Sequence, residues 1–222
     1  MFKQTLKIVM PIILIGIIFL IAHNTYKNTQ ELTESPITVI PTNAAIILQL
    51  NDAKNLKKSL QSSNIWANFQ NIKQIKKISK KANEISIFFT KNQSILNSNQ
   101  LFISIHKVST KKSANLFSMA FKRENIQNNK EIIALFDNET ETFTYDNQTV
   151  YFSSTLNTYF SFKNDILFYS ANKLLLTDAI RISNKNTEDL FTNPLFSTCY
   201  NTLSKSADIN LIVNYNNILH LS

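Results

Sequence analysis

From residue 101 the sequence reads Leu101-Phe102-Ile103-Ser104-Ile105-His106, a short run rich in aromatic and β-branched residues. Runs of this kind, alternating or fully apolar, are typical of β-strands. Five similar segments follow at residues 116–121, 131–136, 150–153, 159–162 and 166–169. The middle of the chain therefore predicts a sheet of about six strands.

Polar residue pairs separate these segments. They are Lys111-Lys112, Asn128-Asn129, Asp146-Asn147 and Asn164-Asp165. Because two-residue connections cannot link parallel strands, the pairs predict an antiparallel meander of hairpins. Tight hairpin turns need a positive φ angle, which Asn and Asp tolerate best among residues other than glycine. Since the chain has a single glycine, Gly16, we expect several Asn residues between strands to have positive φ.

Apolar runs and capping residues predict further elements before the sheet. Residues 44–50 form a short apolar β-like run, and a helix is predicted from Asn51 or Asp52 to about Gln61. Ser63-Asn64 predicts a second helix. Residues 85–95 have no clean period, which leaves helix and strand open there.

Two helices are predicted after the sheet. Asn172 can cap a helix over residues 173–183, and a second helix runs from about 188 to 204 with an interruption at Pro194. The whole pattern predicts an α+β fold of strand, two helices, meander, two helices and a closing strand.

The closing strand belongs to an internal similarity. Residues 212–221 can be laid over residues 47–56 without a gap, and both read as strand, Asn turn and helix start. In an Asn-rich chain chance can also produce such a match. If the similarity is a repeat, we expect the chain to continue beyond residue 222 in a longer protein.

The N-terminal region contains an uncharged apolar run at residues 8–22. Counted from Phe2 with the heads of Lys3 and Lys7 directed outward, about twenty-one residues reach roughly 31 Å and can cross a bilayer once. A cleaved secretory signal would have the same charged and apolar regions, but no clear A-x-A site follows the run. These features favour an uncleaved signal anchor, with a buried core helix as the other alternative.

Flanking charge predicts the orientation of this anchor. Lys3 and Lys7 precede the run, so the positive-inside bias leaves the N-terminus in the cytoplasm and exports the body. We therefore expect a membrane anchor at residues 1–23, a polar tether at residues 24–42 and an exported α+β domain at residues 43–222. The expected location is the cytoplasmic (inner) membrane, single-pass, with the body in the periplasm.

Glycine and histidine usage removes several classes of enzyme site. After Gly16 the chain contains no glycine, which excludes glycine-lined phosphate loops, dinucleotide-binding loops and nucleophile elbows in these residues. None of His23, His106 and His220 has a second ligand at metal-binding spacing. We expect no catalytic residue, no cofactor and no metal.

Other reactive side chains have structural interpretations. Cys199, the only cysteine, lies in an apolar helical context and is predicted to be a buried small hydrophobic residue, although a spatial pair with His106 or His220 stays open. Two further carboxylate pairs are expected in a loop and at a helix start. They are Glu139 with Glu141, and Glu188 with Asp189.

Lysines form the strongest remaining signal in a chain of formal net charge +8. The candidate anionic-surface patch consists of Lys73, Lys76, Lys77, Lys80 and Lys81. Such a patch can bind anionic lipid headgroups or an acidic envelope polymer, but a solvated helix face explains it more simply. Nucleic acid is not an expected partner, because the body is exported and the cluster lacks arginine and any recognised motif.

Several soft motifs resemble one protein family. They are the short N-terminal anchor, Ile40-Pro41-Thr42-Asn43-Ala44-Ala45, Asn64-Ile65-Trp66, the strand at residues 101–106, the meander, and Asn-Leu-Ile-Val-Asn-Tyr at residues 210–215. Together they look like the uncharacterised membrane-anchored envelope proteins of Bacteroidota-type bacteria, filed as a domain of unknown function. Members are typically longer than this chain. The resemblance implies an envelope location but no activity and no catalytic residues.

The functional expectation is a non-catalytic binding or scaffolding protein of the cell envelope. Its partners would be the membrane through residues 8–22 and an envelope protein or anionic envelope component. One alternative is an envelope hydrolase whose site lies in a missing C-terminal part. The other is a binder of anionic lipid or polymer through the lysine-rich helix.

Overall fold

The computed structural model describes residues 35–62, 73–109, 112–122, 133–134, 136, 140–185 and 187–218. The predicted anchor and the first part of the tether lie outside these residues, as do Lys3 and Lys7. Among the described helices none is both long enough and apolar enough to cross a membrane.

Within the described residues, eight antiparallel strands form one sheet. They are β1 (Ala44–Leu50), β2 (Leu96–Ser109), β3 (Lys112–Phe121), β4 (Thr140–Tyr145), β5 (Gln148–Ser153), β6 (Thr158–Lys163), β7 (Ile166–Ser170) and β8 (Ile209–Val213). The strand order is β4-β5-β6-β7-β3-β2-β1-β8. The fold is therefore α+β with an antiparallel sheet, as the sequence predicts.

The order of the strands differs from a single meander. Strands β4 to β7 follow one another in space, but β3 pairs with β7, and Ala120 lies opposite Ile166. The first and last strands of the folded body also meet, since β1 pairs with β8 and Ile47 lies opposite Ile212. The two segments that resemble each other in sequence are thus neighbours in the sheet.

One predicted strand is wrong and one strand was missed. Residues 131–136 were predicted as a strand, but the described residues 133–134 are helical. The continuous apolar run at residues 132–136 fits a helix or a strand, so local sequence does not decide between them. Strand β4 was not predicted because only Phe143 and Tyr145 among its side chains pack against a core.

The described α-helices are α1 (Leu56–Ser62), α2 (Lys73–Lys91), α3 (Lys173–Ser183), α4 (Pro194–Asn201) and α5 (Tyr215–Ile218). Short 3-10 helices occupy Pro36–Val39, Ala53–Asn55 and Leu190–Thr192. Helix α3 has the predicted bounds, and the side chain of Asn172 accepts a hydrogen bond from the Leu175 amide as its cap. Residues 85–95, which the sequence left open, complete α2 and turn into β2.

The folded body begins earlier than predicted. Residues 24–42 were expected to be a tether, yet Pro36–Val39 forms a 3-10 helix in which Ile37 and Val39 are fully buried. Burying these two side chains provides the free energy that orders the segment. The body therefore includes the second half of the predicted tether.

Two hydrophobic cores lie on opposite faces of the sheet, because successive side chains of a strand point to opposite faces. On one face α1 and α2 pack through Leu56, Ile78 and Phe89. On the other face α3 and the first 3-10 helix pack through Leu176, Ile180 and Ile37.

The hairpin turns use Asn and Asp as predicted. Positive φ angles occur at Asp146 (49°), Asn147 (60°), Asn157 (46°), Asn164 (53°) and Lys185 (58°). Three of these residues are asparagines in strand connections, which confirms that Asn takes the positions that glycine normally fills. Of the other predicted turn pairs, Lys111 and Asn128-Asn129 lie outside the described residues, and Lys112 begins β3.

Candidate functional site

Helix α2 carries the predicted lysine patch on its exposed side. Ile78, Ala82 and Phe89 face the core, and each is at most 3% exposed. Because an α-helix has 3.6 residues per turn, Lys76, Lys77 and Lys80 fall on the side away from the core. All three side chains are exposed. Lys73 and Lys81 belong to the same helix, but their side chains lie outside the described set.

The positive charge of this surface is not neutralised by ion pairs in the described part of the chain. The ion pair found there joins Arg181 to Asp178 within α3. Glu84 lies one turn after Lys80 and is exposed, but the two do not form an ion pair. We call Lys76, Lys77 and Lys80 the lysine face of α2; it can attract an anionic surface.

A buried polar cluster surrounds His106, the one histidine in the described ranges. Its Nδ1 atom lies 2.7 Å from Asn43 Oδ1, and its Nε2 atom lies 2.7 Å from Ser104 Oγ. Since the Asn43 oxygen can only accept, Nδ1 carries the proton, and Ser104 donates its hydroxyl proton to Nε2. Burial lowers the pKa of His106 to about 3, so the imidazole is neutral.

The order serine, histidine and amide resembles a nucleophile with its base and orienting group. However, Ser104 and His106 are both fully buried, and no substrate can reach the hydroxyl. The neighbouring cavity of about 300 Å³ is lined by Asn43 and Lys107 among others, but by neither Ser104 nor His106. The cluster therefore joins β2 to the residue before β1 and satisfies polar groups inside the core.

The prediction that the Cys199 side chain is buried is wrong, because this residue is exposed on α4. The aromatic rings of Phe191, Phe196 and Tyr200 pack against one another and occupy the inner side of this helix. Cys199 lies on the same helix but is not part of this packed set. A pair between Cys199 and His106 does not form, since both ring nitrogens of the buried His106 are engaged by other residues.

The carboxylates of interest lie in separate places. Glu141 was expected in a loop but lies exposed on β4. Asp189 accepts hydrogen bonds from the amides of Phe191 and Thr192 and so caps the 3-10 helix, as expected for a residue at a helix start. Among the described residues no group of three His, Cys, Asp or Glu is placed to hold a metal ion.

The His106 cluster was missed by sequence reasoning. The signal available was a histidine two residues from a serine in an otherwise apolar strand, which predicts that both face one side of the sheet. The third member, Asn43, is 63 positions away from His106 in sequence, so only the pairing of β1 with β2 brings it there.

Comparisons with known proteins give little about function. No family model and no curated protein matches the sequence. Among solved structures, crystal form I of TP0453 matches with a TM-score of 0.41 and 11% sequence identity. The match covers 82% of this chain and 63% of TP0453, so this chain spans less than two thirds of that protein.

Proposed function

We propose that this chain is a non-catalytic binding or scaffolding protein of the cell envelope, anchored in the cytoplasmic membrane. Residues 8–22 would cross the membrane once, with Lys3 and Lys7 on the cytoplasmic side and the α+β body in the periplasm. The apolar run and its flanking charges support the anchor. The observation that supports a binding role is the lysine face of α2, which the fold leaves exposed and without ion pairs in the described residues.

The single cysteine provides a direct test of the location of the body. Cys199 is exposed, and the chain has no other cysteine, so a maleimide that cannot cross membranes reports its side of the membrane. We expect labelling in intact spheroplasts, to the same extent as after lysis. A Cys199→Ser variant controls for unspecific reaction. Labelling that requires lysis would place the body in the cytoplasm and contradict the proposal.

The exposed lysine face favours a second candidate function, which is binding to anionic lipid or to an acidic envelope polymer. Lys76, Lys77 and Lys80 follow one side of α2, so several charges can approach the same surface together. Each lysine near an anionic surface adds to the attraction, which extends over about one Debye length, roughly 8 Å at physiological salt.

Cosedimentation tests this second function with matched variants. Changing Lys76, Lys77 and Lys80 to Gln should weaken binding to vesicles containing anionic lipid at least tenfold, and added salt should weaken wild-type binding. The control changes the exposed Lys112, Lys185 and Lys205 to Gln, with the same loss of charge but from one strand and two separate turns. Equal binding by the two triple variants would reject the lysine face as a site. Acidic polysaccharide in place of vesicles distinguishes the polymer from lipid.

A further inference from the structure

A polar cavity of about 500 Å³ lies where two hairpin turns meet the end of a helix. The turn between β4 and β5 contributes Asp146 and Asn147, and the turn after β6 contributes Asn164. Asn184, the C-terminal cap of α3, closes the third side. The pairing of β5 with β6 places both turns at the same end of the sheet.

The two turns place two amide side chains at the rim of this cavity. Asn147 and Asn164 have φ angles of 60° and 53°, which two-residue turns between paired strands enforce. Within the described part of the protein, neither side-chain amide makes a hydrogen bond. Each therefore presents one carbonyl oxygen and one NH₂ group at the rim of the cavity.

A carboxylate and an ammonium group lie on the same rim, and each is hydrogen-bonded to the Asn184 side chain. The Asn184 Nδ2 atom donates to the backbone oxygen and to the Oδ2 atom of Asp146, each at 2.9 Å. Its Oδ1 atom accepts from Lys163 Nζ at 2.8 Å. The ammonium group has three donors and uses one here. One carboxylate and one ammonium group therefore line the cavity, and their formal charges cancel.

Gln148 contributes an acceptor without a partner. The residue is 8% exposed, and its Nε2 atom donates to the backbone oxygen of Phe162, another residue of the cavity wall. Its Oε1 atom is buried and accepts no hydrogen bond. A buried acceptor left unpaired is unfavourable, and Gln148 is one of the residues that line the cavity.

We propose that this cavity binds a neutral polyhydroxylated ligand, a saccharide of one or two rings. A hydroxyl group both donates and accepts, which matches a lining with two free amide groups, an ammonium and the unpaired acceptor of Gln148. A cavity of this volume falls in the range of small-molecule sites. The Lys163 ammonium disfavours a cation, whereas Asp146 and the negative end of α3 disfavour an anion. The site requires neither the membrane anchor nor the lysine face.

Glycine substitutions test the site without disturbing its turns. In a double variant with Asn147→Gly and Asn164→Gly, glycine keeps the positive φ angles but removes both amides. The matched control is Asn157→Gly, which has the same kind of φ angle in the connection of β5 to β6, at the opposite end of the sheet. All three proteins should melt at similar temperatures.

Ligand-observed NMR on the full chain, in micelles of a sugar-free zwitterionic detergent, provides the measurement. The probes are glucose, N-acetylglucosamine and its β1,4-linked disaccharide, with inorganic phosphate and calcium ions as competitors. We expect at least one saccharide to bind wild type and Asn157→Gly equally and the double variant about tenfold more weakly or worse. Preference for the disaccharide over the free sugars would indicate a glycan chain as the source.

Three results would overturn the proposal. The first is that none of the saccharides binds at about 10 mM, where weak ligands of this size are still detected. The second is that the double variant binds as tightly as wild type. The third is that phosphate or calcium displaces the saccharide. Cys199 labelling does not enter this measurement, so a failed saccharide site and a failed envelope location are separate results.

Discussion

On its α2 side the sheet presents Ile103, Phe117, Phe160 and other apolar side chains, whereas on its α3 side it presents Ser104, His106 and Ser118 among the apolar ones. All of the named side chains are buried except Phe117, which is half-buried. Rings stack on the α2 side, and Phe160 lies 4.1 Å from Phe136 and 5.0 Å from Tyr151 between ring centroids. This face depends on the burial and contact of aromatic surface.

On the α3 side, buried hydroxyls bond to backbone oxygens. Ser118 Oγ donates to the oxygen of Pro36 at 2.7 Å, and Ser170 Oγ donates to the oxygen of Asn115 at 2.8 Å. The first bond attaches the entering 3-10 helix to β3, 82 positions away. The comparison indicates that both faces are stabilised by buried apolar side chains, while the α3 face also fixes where particular segments lie.

The largest expected effect comes from removing an aromatic ring on the α2 face. Phe160→Ala leaves a cavity at a side chain that is fully buried and stacked on two rings. The free energy of unfolding should fall by about 3–5 kcal/mol, measured by urea denaturation. Phe160→Leu should lose distinctly less. A loss under about 1 kcal/mol for the alanine variant would show that this face is not tightly packed.

The second effect is a loss of stability at low pH, caused by the buried His106 on the α3 face. The pKa of His106 is about 3 in the folded protein and 6.5 as the ordinary value, so below pH 6.5 the unfolded chain binds a proton that the folded chain does not. The neutral His106 side chain therefore makes its full contribution to the free energy of unfolding above pH 6.5. This contribution is lost as the pH falls toward 3. At pH 4.5 the loss is about 2–3 kcal/mol.

A non-titrating variant isolates that contribution. Urea denaturation of wild type and His106→Gln at several pH values gives two curves whose difference reports His106 alone. The difference should shrink as the pH falls from 6.5, because only wild type loses this stabilisation. Parallel curves would show that the buried cluster does not control the protonation of His106.

The smallest effect tests a single bond of the α3 face. Ser118→Ala removes the hydroxyl that donates to the buried Pro36 oxygen, which should cost about 1 kcal/mol of unfolding free energy. Ser154→Ala, at an exposed position, provides the control. Proteolysis near Pro36–Val39 should also become faster in the Ser118 variant. Equal stability of both variants would mean that the hydroxyl does not hold the entering segment.

The sequence predicted local features well and pairings less well. Asn172 as a helix cap and Asn147 as a turn residue depend on near neighbours, and the structure confirms both. The strand predicted at residues 131–136 was wrong, because a short continuous apolar run fits a helix or a strand. Strand β4 was missed because only Phe143 and Tyr145 among its side chains pack against a core. For the candidate sites, the exposed lysine face followed from helical spacing, whereas the polar cavity combines turns and a helix end that are distant in sequence.

By itself the sequence determined which strand residues alternate between the two faces and in which turns asparagine replaces glycine. It also determined the cap of α3 and the side of α2 that carries lysine. Each of these follows from backbone geometry and side-chain chemistry within a few residues. Only the tertiary structure decided that β3 pairs with β7, that β8 lies beside β1, that Asn43 reaches His106 and that Cys199 is exposed. Those outcomes depend on which apolar surfaces are buried against each other. Contacts between residues that are distant in sequence cannot be recognised from the residues around any one position.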